Sequence, residues 1–331
     1  MQDPSPLVSV VVSARGNTAS LLTLLEALAQ QTLTDFEAVI VDNDPPGPVR
    51  PIGQALDGSG PWPFTLRVLF EPLPGLSAGR NRGICAARGR FVAITDPDIV
   101  PEPGWLQALV ACAEQEDVFA VGGRTAVEYP EGEVVPLSTA LRECHGAVEW
   151  PDGRTLAAWP YWVTGCNLLF DRRAALELGL FRTDLGRKGR WRLDCEDLEF
   201  VDRARQHGLE TLIEPAAVVS HPIYRRETTA RYYVDQGIGH GICVARMHLS
   251  VRVEPAAIRA GRTAVKDAAV GLVQGWTFLD RARAVESARD LARIGAYHAE
   301  RGRLRLLGRR PIALADLSDL PKFTKKEKER V

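Results

Sequence analysis

Residues Phe91 to Trp105 read FVAITDPDIVPEPGW. Phe91 to Thr95 is short, apolar and β-forming, with Gly89 and Arg90 on its amino side. Such a run reads as a strand buried on both faces, in a sheet covered by helices. It ends in Asp96-Pro97-Asp98. Two carboxylates at the end of a buried strand are poorly placed for stability, because an unpaired buried charge is costly. Hard divalent cations are held by one or two carboxylates together with substrate phosphates. In open α/β sheets, ligands gather outside the carboxyl ends of the strands. A turn closing the strand suits the same tripeptide, since Asp and Pro both favour turns. On the tripeptide alone both readings stand.

Working outward, strands and helices alternate. Leu7 to Ser13 (LVSVVVS) reads as a buried strand, and Thr18 to Gln31 as an amphipathic helix with Asn17 as its N-cap. Phe36 to Val41 is a second strand, Leu66 to Phe70 a third, and Pro45 to Pro63 between them a Pro- and Gly-rich surface loop. Ser77 is expected to cap a helix to Arg88. A helix over about 102–115 and a strand over 118–122 follow the DPD run. This alternation is the signature of a mostly parallel sheet wrapped by helices. Residues 128–158 read as an irregular arm over the site. Tyr161 to Phe170 reads as a strand, Asp194 to His207 as a helix, and Glu210 to Ile213 and Ala217 to Val219 as short strands. Beyond Arg226 helices run to about Leu306, and Lys322 to Arg330 is a charged tail expected to be disordered. The predicted units are 1–225, divided near 125 into nucleotide and acceptor halves, a helical region 226–320, and a tail 321–331.

The 331 residues are ordinary for a globular protein, at 45% hydrophobic and 25% charged. A net charge of −1 gives no footprint for a nucleic-acid partner. No apolar run approaches the length needed to span a bilayer, and Met1 to Pro6 does not resemble a signal peptide. The six cysteines are scattered without a CxxC pair, which points to reduced thiols and a cytoplasmic setting. Cys85 and Cys112 sit in helical patterns as expected core residues. The Ala- and Val-rich, Arg-bearing C-terminal helices favour docking or a homodimer over contact with a membrane surface, which would be at most peripheral.

Four polar clusters fall at strand ends or helix starts: Ser13-Ala14-Arg15-Gly16-Asn17, Asp42-Asn43-Asp44, Asp96-Pro97-Asp98 and Cys195-Glu196-Asp197. In a parallel sheet the first three share one edge and can converge on one ligand. Helix capping is the plainer account of any one of them. Carboxylates such as Glu196 and Asp197 in a first helical turn are favoured by the helix dipole. They also suit a general base that takes a proton from an attacking hydroxyl. Arg187-Lys188-Gly189-Arg190, just before them, fits a diphosphate equally as well as it fits a solvated loop. Trp159, Tyr161 and Trp162 suit either a core or a sugar face.

The runs LSAGRNRGI (76–84), GRF (89–91), DPD and PGW (103–105) resemble a family-2 glycosyltransferase of the GT-A fold. So do VSVVVSARGN, VIVDND, WVTGCNLLFDRRAALELGLF and CEDLEF, in that order, over roughly residues 7–222. The resemblance implies a metal-dependent inverting enzyme that moves a sugar from a nucleoside diphosphate, most often UDP, to an acceptor hydroxyl. It implies that Ala14, Arg15, Asp42 and Asn43 face the nucleotide and that Arg80 approaches the diphosphate. Asp98 would ligate Mn²⁺ or Mg²⁺. Asp96 would contact ribose or the metal, and His221 would complete the site. Gly165, Asn167 and Trp162 would lie on the acceptor side. Asp197 would be the base, with Glu196 as second candidate. The chain departs from the family pattern in Ser13-Ala14-Arg15-Gly16-Asn17 and in Asp44-Pro45-Pro46-Gly47, which leaves GDP-sugars open beside pyrimidine donors. A sugar-1-phosphate nucleotidyltransferase or a catalytically silent scaffold are the competing readings. The ED pair and the absence of a Gly-rich, Lys-bearing first loop weigh against the first, and intact DPD and ED pairs against the second.

Overall fold

The computed structural model describes residues 5–16, 18–43, 62–132, 134–158, 161–189, 192–248, 266–275, 277 and 280–309. The expected cap Asn17, the loop at 45–61, Trp159, Arg190, the first part of the 256–273 helix and the tail lie outside these residues. Strand β1 (Val8–Ala14) pairs in parallel with β2 (Phe36–Asp42) on one side and β4 (Phe91–Thr95) on the other. β3 (Thr65–Phe70) extends the sheet beyond β2, also in parallel. The whole order is β3-β2-β1-β4-β8-β6-β9-β5, with β7 (Thr155–Leu156) off this path against β9. β8 (Leu168–Asp171) runs against both β4 and β6 (Ala120–Glu128), and β9 (Thr211–Pro222) returns in parallel with β6. β5 (Val100–Pro101) and β7 run against β9. β1–β4, β6 and β9 therefore share one direction, so the sheet is mixed and mostly parallel.

The strand sequences explain the two-sided core. All seven residues of β1 are buried, and successive side chains point to opposite faces. Val8, Val10 and Val12 join a cluster with Leu21, Leu24 and Leu28 of α1 (Thr18–Leu28) and with Trp105 and Leu109 of α3 (Trp105–Glu116). Val11 joins the other face, with Ile84 of α2 (Leu76–Ala86), Ala175 of α5 (Arg172–Leu178) and Phe200 of α6 (Glu196–Gln206). Helix α2 lies almost flush on β1. A Cβ at Gly79 would fall 2.1 Å from Ser13 Oγ, and one at Gly83 would fall 2.3 Å from Val11 Cγ1. The glycines of the LSAGRNRG run thus set the helix-to-sheet distance. Trp105, wholly buried, donates from its indole nitrogen to Asn167 Oδ1 at 2.7 Å, which accounts for the Trp of the PGW motif.

Several expectations need correction. Ser77 does not cap α2. The helix begins at Leu76 behind Gly75, whose φ is 134°, and the Ser77 hydroxyl instead donates to the Leu185 carbonyl at 2.9 Å. Of the expected 161–170 strand only 168–170 pairs, in a strand that runs Leu168–Asp171, because the Gly165 amide and carbonyl are drawn to side chains of the site. The two short C-terminal strands are one, β9, with a register shift against β6. Cys85 is exposed, on the outer side of α2, while Cys112 is buried as expected. In the arm, α4 (Thr139–Glu143) follows an N-cap at Ser138.

The C-terminal helices dock on the protein. A short 3-10 turn leads into α7 (Ala230–Met247), which packs along α8 (Arg281–Leu306). Arg246 Nε contacts Glu300 Oε1 at 2.9 Å across this pair. Arg289 of α8 reaches the Ala140 carbonyl of the arm at 2.7 Å. Among the described residues no helix is long and apolar enough to cross a membrane.

Candidate active site

Arg80 sits at the centre of the site, on α2, with 1% of its side chain exposed. Its Nη1 donates to Glu196 Oε1 at 2.7 Å, and its Nη2 to Asp96 Oδ1 at 2.9 Å and the Gly165 carbonyl at 2.8 Å. One guanidinium thus joins the DPD turn after β4, the turn before β8 and the start of α6. A planar fork with several donors suits this task, and pairing is what makes a buried charge tolerable. Burial works against the charge, but Asp96, Glu196 and Asp197 outweigh it, and the Arg80 pKa is raised.

These three turns meet at one edge of the sheet. β1 and β4 end there, and β8 starts there because it runs the other way. At this edge the chain passes from β1 to β2 on one side and comes back to β4 on the other, the switch point where α/β sheets bind ligands. A cavity of about 460 Å³ opens at it. Arg15, Asn43, Asp96, Asp98, Gly165, Glu196, Asp197 and His221 are among the residues that line it. Arg187 and Lys188 of the basic loop also line it.

The carboxylates differ. Asp98 is half-buried, and its pKa is raised, first by burial and then by the charge of Asp96, with His221 and Arg187 opposing. Two half-buried carboxylates on one turn beside an imidazole make an oxygen-rich pocket. That donor set fits Mn²⁺ or Mg²⁺, with Asp98, His221 and the oxygen of Asp96 that Arg80 does not hold as the residues available. Glu196 is buried and committed to Arg80, and burial, then Asp197, pushes its pKa up. Asp197 is more exposed. Its Oδ2 accepts from the Gly165 amide at 2.6 Å and its Oδ1 from the Leu198 amide at 2.8 Å. Burial raises its pKa, while Arg80 and these two amides hold it down.

Other expected residues lie differently. Ala14 and Asp42 are buried at the ends of β1 and β2. Asn43 braces the following turn. Its Nδ2 donates to the carbonyls of Glu71 and Leu73 at 3.0 and 2.7 Å, and its Oδ1 accepts from the Gly75 amide at 2.8 Å. Asp44 lies outside the described residues. Asn167 is not on the acceptor side. It is wholly buried, with Oδ1 taken by Trp105 and Nδ2 by the carbonyls of Arg124 and Ala217. Trp162 lines a second cavity of about 280 Å³, with Leu198, Val201 and Asp202 of α6.

Sequence reasoning missed another part of the lining. Cys144, His145, Glu227 and Tyr232 also line the main cavity. They come from the arm and from the start of the C-terminal helices, where no period or spacing marks them. The His145 imidazole lies among the rings of Tyr129, Tyr232 and Tyr233, at 5.4 to 5.6 Å between centroids. Burial lowers its pKa to about 4, so it is neutral near pH 7.

Among the described residues, one set of three ligand-type side chains closes to within 4.8 Å: Asp194, Cys195 and His240. Its contacts have hydrogen-bond lengths. His240 Nδ1 to Asp194 Oδ2 is 2.9 Å, and the Cys195 thiol to Asp194 Oδ1 is 3.0 Å.

Residues 9–172 match the family model described as glycosyl transferase family 2. The uncharacterized glycosyltransferase EpsJ of Bacillus subtilis is 31% identical over 117 residues, 35% of this chain and 33% of that protein. The matched stretch is therefore about a third of that relative's length. The glucosyl-dolichyl phosphate glucuronosyltransferase of Haloferax volcanii is 25% identical over 237 residues, 66% of this chain and 69% of that protein. Among solved structures, the mannosyltransferase PcManGT from Pyrobaculum calidifontis, in complex with GDP-Man and Mn²⁺, gives a TM-score of 0.58 at 18% identity. That comparison covers 92% of this chain and 88% of the other, and it speaks for the fold. With DPD, Gly165 and the ED pair gathered on one guanidinium at the edge of such a sheet, the chain belongs to glycosyl transferase family 2 and has the GT-A fold.

Proposed function

We propose that this protein is an inverting glycosyltransferase that moves a sugar from a nucleoside diphosphate to an acceptor hydroxyl, with Asp197 as the base. The observation that carries this reading is the convergence of Asp98, Asp96 and Asp197 on one cavity, where Arg80 ties Asp96 to Glu196, the neighbour of Asp197. Arg15 and the turn braced by Asn43 lie at the ends of β1 and β2, where the nucleotide would sit. Arg187 and Lys188 offer charge to the diphosphate. A divalent cation held by Asp98, Asp96 and His221 would, when bound, offset the charge growing on the leaving diphosphate. Asp197 takes the proton of the attacking hydroxyl. Its raised pKa makes it a better base than an ordinary surface aspartate. Two amides fix the direction of its carboxylate, and Glu196, bonded to Arg80, holds the first turn of α6 in place. A single base and direct displacement invert the anomeric centre. His145, Glu227 and Tyr232 form the acceptor side of the cavity.

UDP is the first donor to test and GDP the second, as in the ligand of the Pyrobaculum mannosyltransferase. Thermal unfolding is followed with UDP, GDP, dTDP and CMP, each with and without Mn²⁺. A nucleotide at 100 times its Kd should add roughly 2.7 kcal/mol, seen as a raised Tm. One nucleotide should stabilise only with metal, and Asp98→Ala should abolish the shift. Asp197→Asn should keep the shift and lose transfer. Full transfer by Asp197→Asn would refute the assignment of the base.

A further inference from the structure

Helix α6 begins in an unusual way. Cys195, its N-cap, has φ 64° and ψ 10°, a left-handed conformation that costs a residue with a side chain roughly 1–2 kcal/mol. Glu196 and Asp197 follow directly, so this turn decides where both carboxylates point. A strained turn persists only where its surroundings hold it.

What holds it lies on α7, outside the stretch that matches the family model. Asp194, the residue before Cys195, is bonded through its backbone and its carboxylate. Its amide meets Cys243 Sγ at 3.3 Å, and its carbonyl accepts from the Gly186 amide at 3.2 Å. Its Oδ1 takes the Cys195 thiol at 3.0 Å, and its Oδ2 takes His240 Nδ1 at 2.9 Å. His240 and Cys243 both belong to α7. The helix comes unusually close here, since a Cβ at Gly239 would lie 1.9 Å from the Arg192 carbonyl oxygen. Elsewhere on α7, Cβ atoms at Gly237 and Gly241 would lie 2.5 and 2.1 Å from the carbonyl oxygens of Arg289 and Arg293 on α8. Helix α7 is wedged between the α8 backbone and the segment that feeds α6. The backbone that carries His240 has little room to move.

We infer that His240 is a positioning residue for transfer: through Asp194 it fixes the left-handed turn at Cys195 that aims Asp197 into the cavity. This rests on the glycosyl-transfer reading above. It gives the C-terminal helices a part in the chemistry, although no residue of α7 from Gly239 to Cys243 lines the cavity.

The test compares His240→Ala with His240→Asn. The asparagine amide nitrogen can occupy the place of imidazole Nδ1 and keep a donor to Asp194. His240→Ala should lower kcat by about ten- to a hundred-fold, the scale of a misplaced catalytic group, with the donor KM within about two-fold. His240→Asn should recover kcat to within about three-fold of wild type. Amide hydrogen exchange over residues 192–199 should be faster in His240→Ala by about ten-fold or more, and unchanged in β1 and β4. Wild-type kcat in His240→Ala overturns the proposal. So does a loss in which kcat, donor KM and Tm all worsen and His240→Asn rescues none of them. If the wild-type protein transfers no sugar from any nucleotide donor, the transferase reading fails. The exchange measurement then decides the tether by itself, and unchanged exchange at 192–199 overturns it.

Discussion

Arg80 joins more of the site than either acidic motif does. Its three acceptors lie on three different turns, and a lysine, with a compact ammonium, cannot span Glu196, Asp96 and the Gly165 carbonyl together. Arg80→Lys should therefore fold but lose transfer by about a hundred-fold, because Asp197 shares the turn that Gly165 and Glu196 hold. Arg80→Ala leaves two carboxylates without their cation and should cost about 3–5 kcal/mol in urea unfolding. A change below about 1 kcal/mol in Arg80→Ala would mean that water replaces the guanidinium freely. The DPD and ED pairs stood out as charges at predicted strand and helix ends, and Arg80 was marked only by the family resemblance of its LSAGRNRG run. The sequence did not reveal that Arg80 is spent inside the protein on Asp96 and Glu196. Partners distant in sequence leave no local spacing to read. Asn167 failed for a related reason: a polar residue beside Gly165 resembles a ligand contact until Trp105 is seen to consume its oxygen.

Among the elements, α2 and β1 make the sharpest prediction. Gly83→Ala forces a methyl to within 2.3 Å of Val11 Cγ1 and should destabilise the protein by about 1–3 kcal/mol. Gly302→Ala, on α8 where nothing lies within 4 Å, should instead stabilise by about 0.5–1 kcal/mol. Equal effects in urea unfolding would show that α2 can lift off β1. The strands β1, β2 and β4 were legible because they are buried on both faces and read as unbroken apolar runs. Residues 161–167 misled for a physical reason. They have strand-like composition, but the Gly165 amide and carbonyl serve Asp197 and Arg80 instead of a neighbouring strand. The start of α2 misled because glycine can take the backbone there and leave Ser77 free to bond Leu185.

At the scale of the molecule, the C-terminal pair is joined by a charge network that responds to acid. Glu300 bonds Arg303 and Arg246, and these contacts lower its pKa to about 2 from an ordinary 4.5. A carboxylate with a lowered folded pKa contributes stability that is fully present above its unfolded value and is lost as pH falls through the folded one. The α7–α8 contact should weaken between about pH 4.5 and pH 2. Glu300→Gln should lower Tm at pH 7 and flatten this dependence, and a parallel pH profile in the variant would assign the acid sensitivity elsewhere. The cavity lining of Cys144, His145, Glu227 and Tyr232 was illegible because it exists only once the arm and the start of the C-terminal helices have met. The partners of Arg80 also set an order of events. Its two carboxylate partners lie 16 and 116 residues along the chain, so a ribosome that has made β1 through β4 has emitted a cation with half its charge compensation still unsynthesised. Loop closure over that distance comes late, and contacts of such span slow folding. The amino-terminal half should therefore wait as a loose sheet until Glu196 arrives. A fragment ending near residue 190 should show no cooperative unfolding transition, and the site would be completed long after its first strands leave the ribosome.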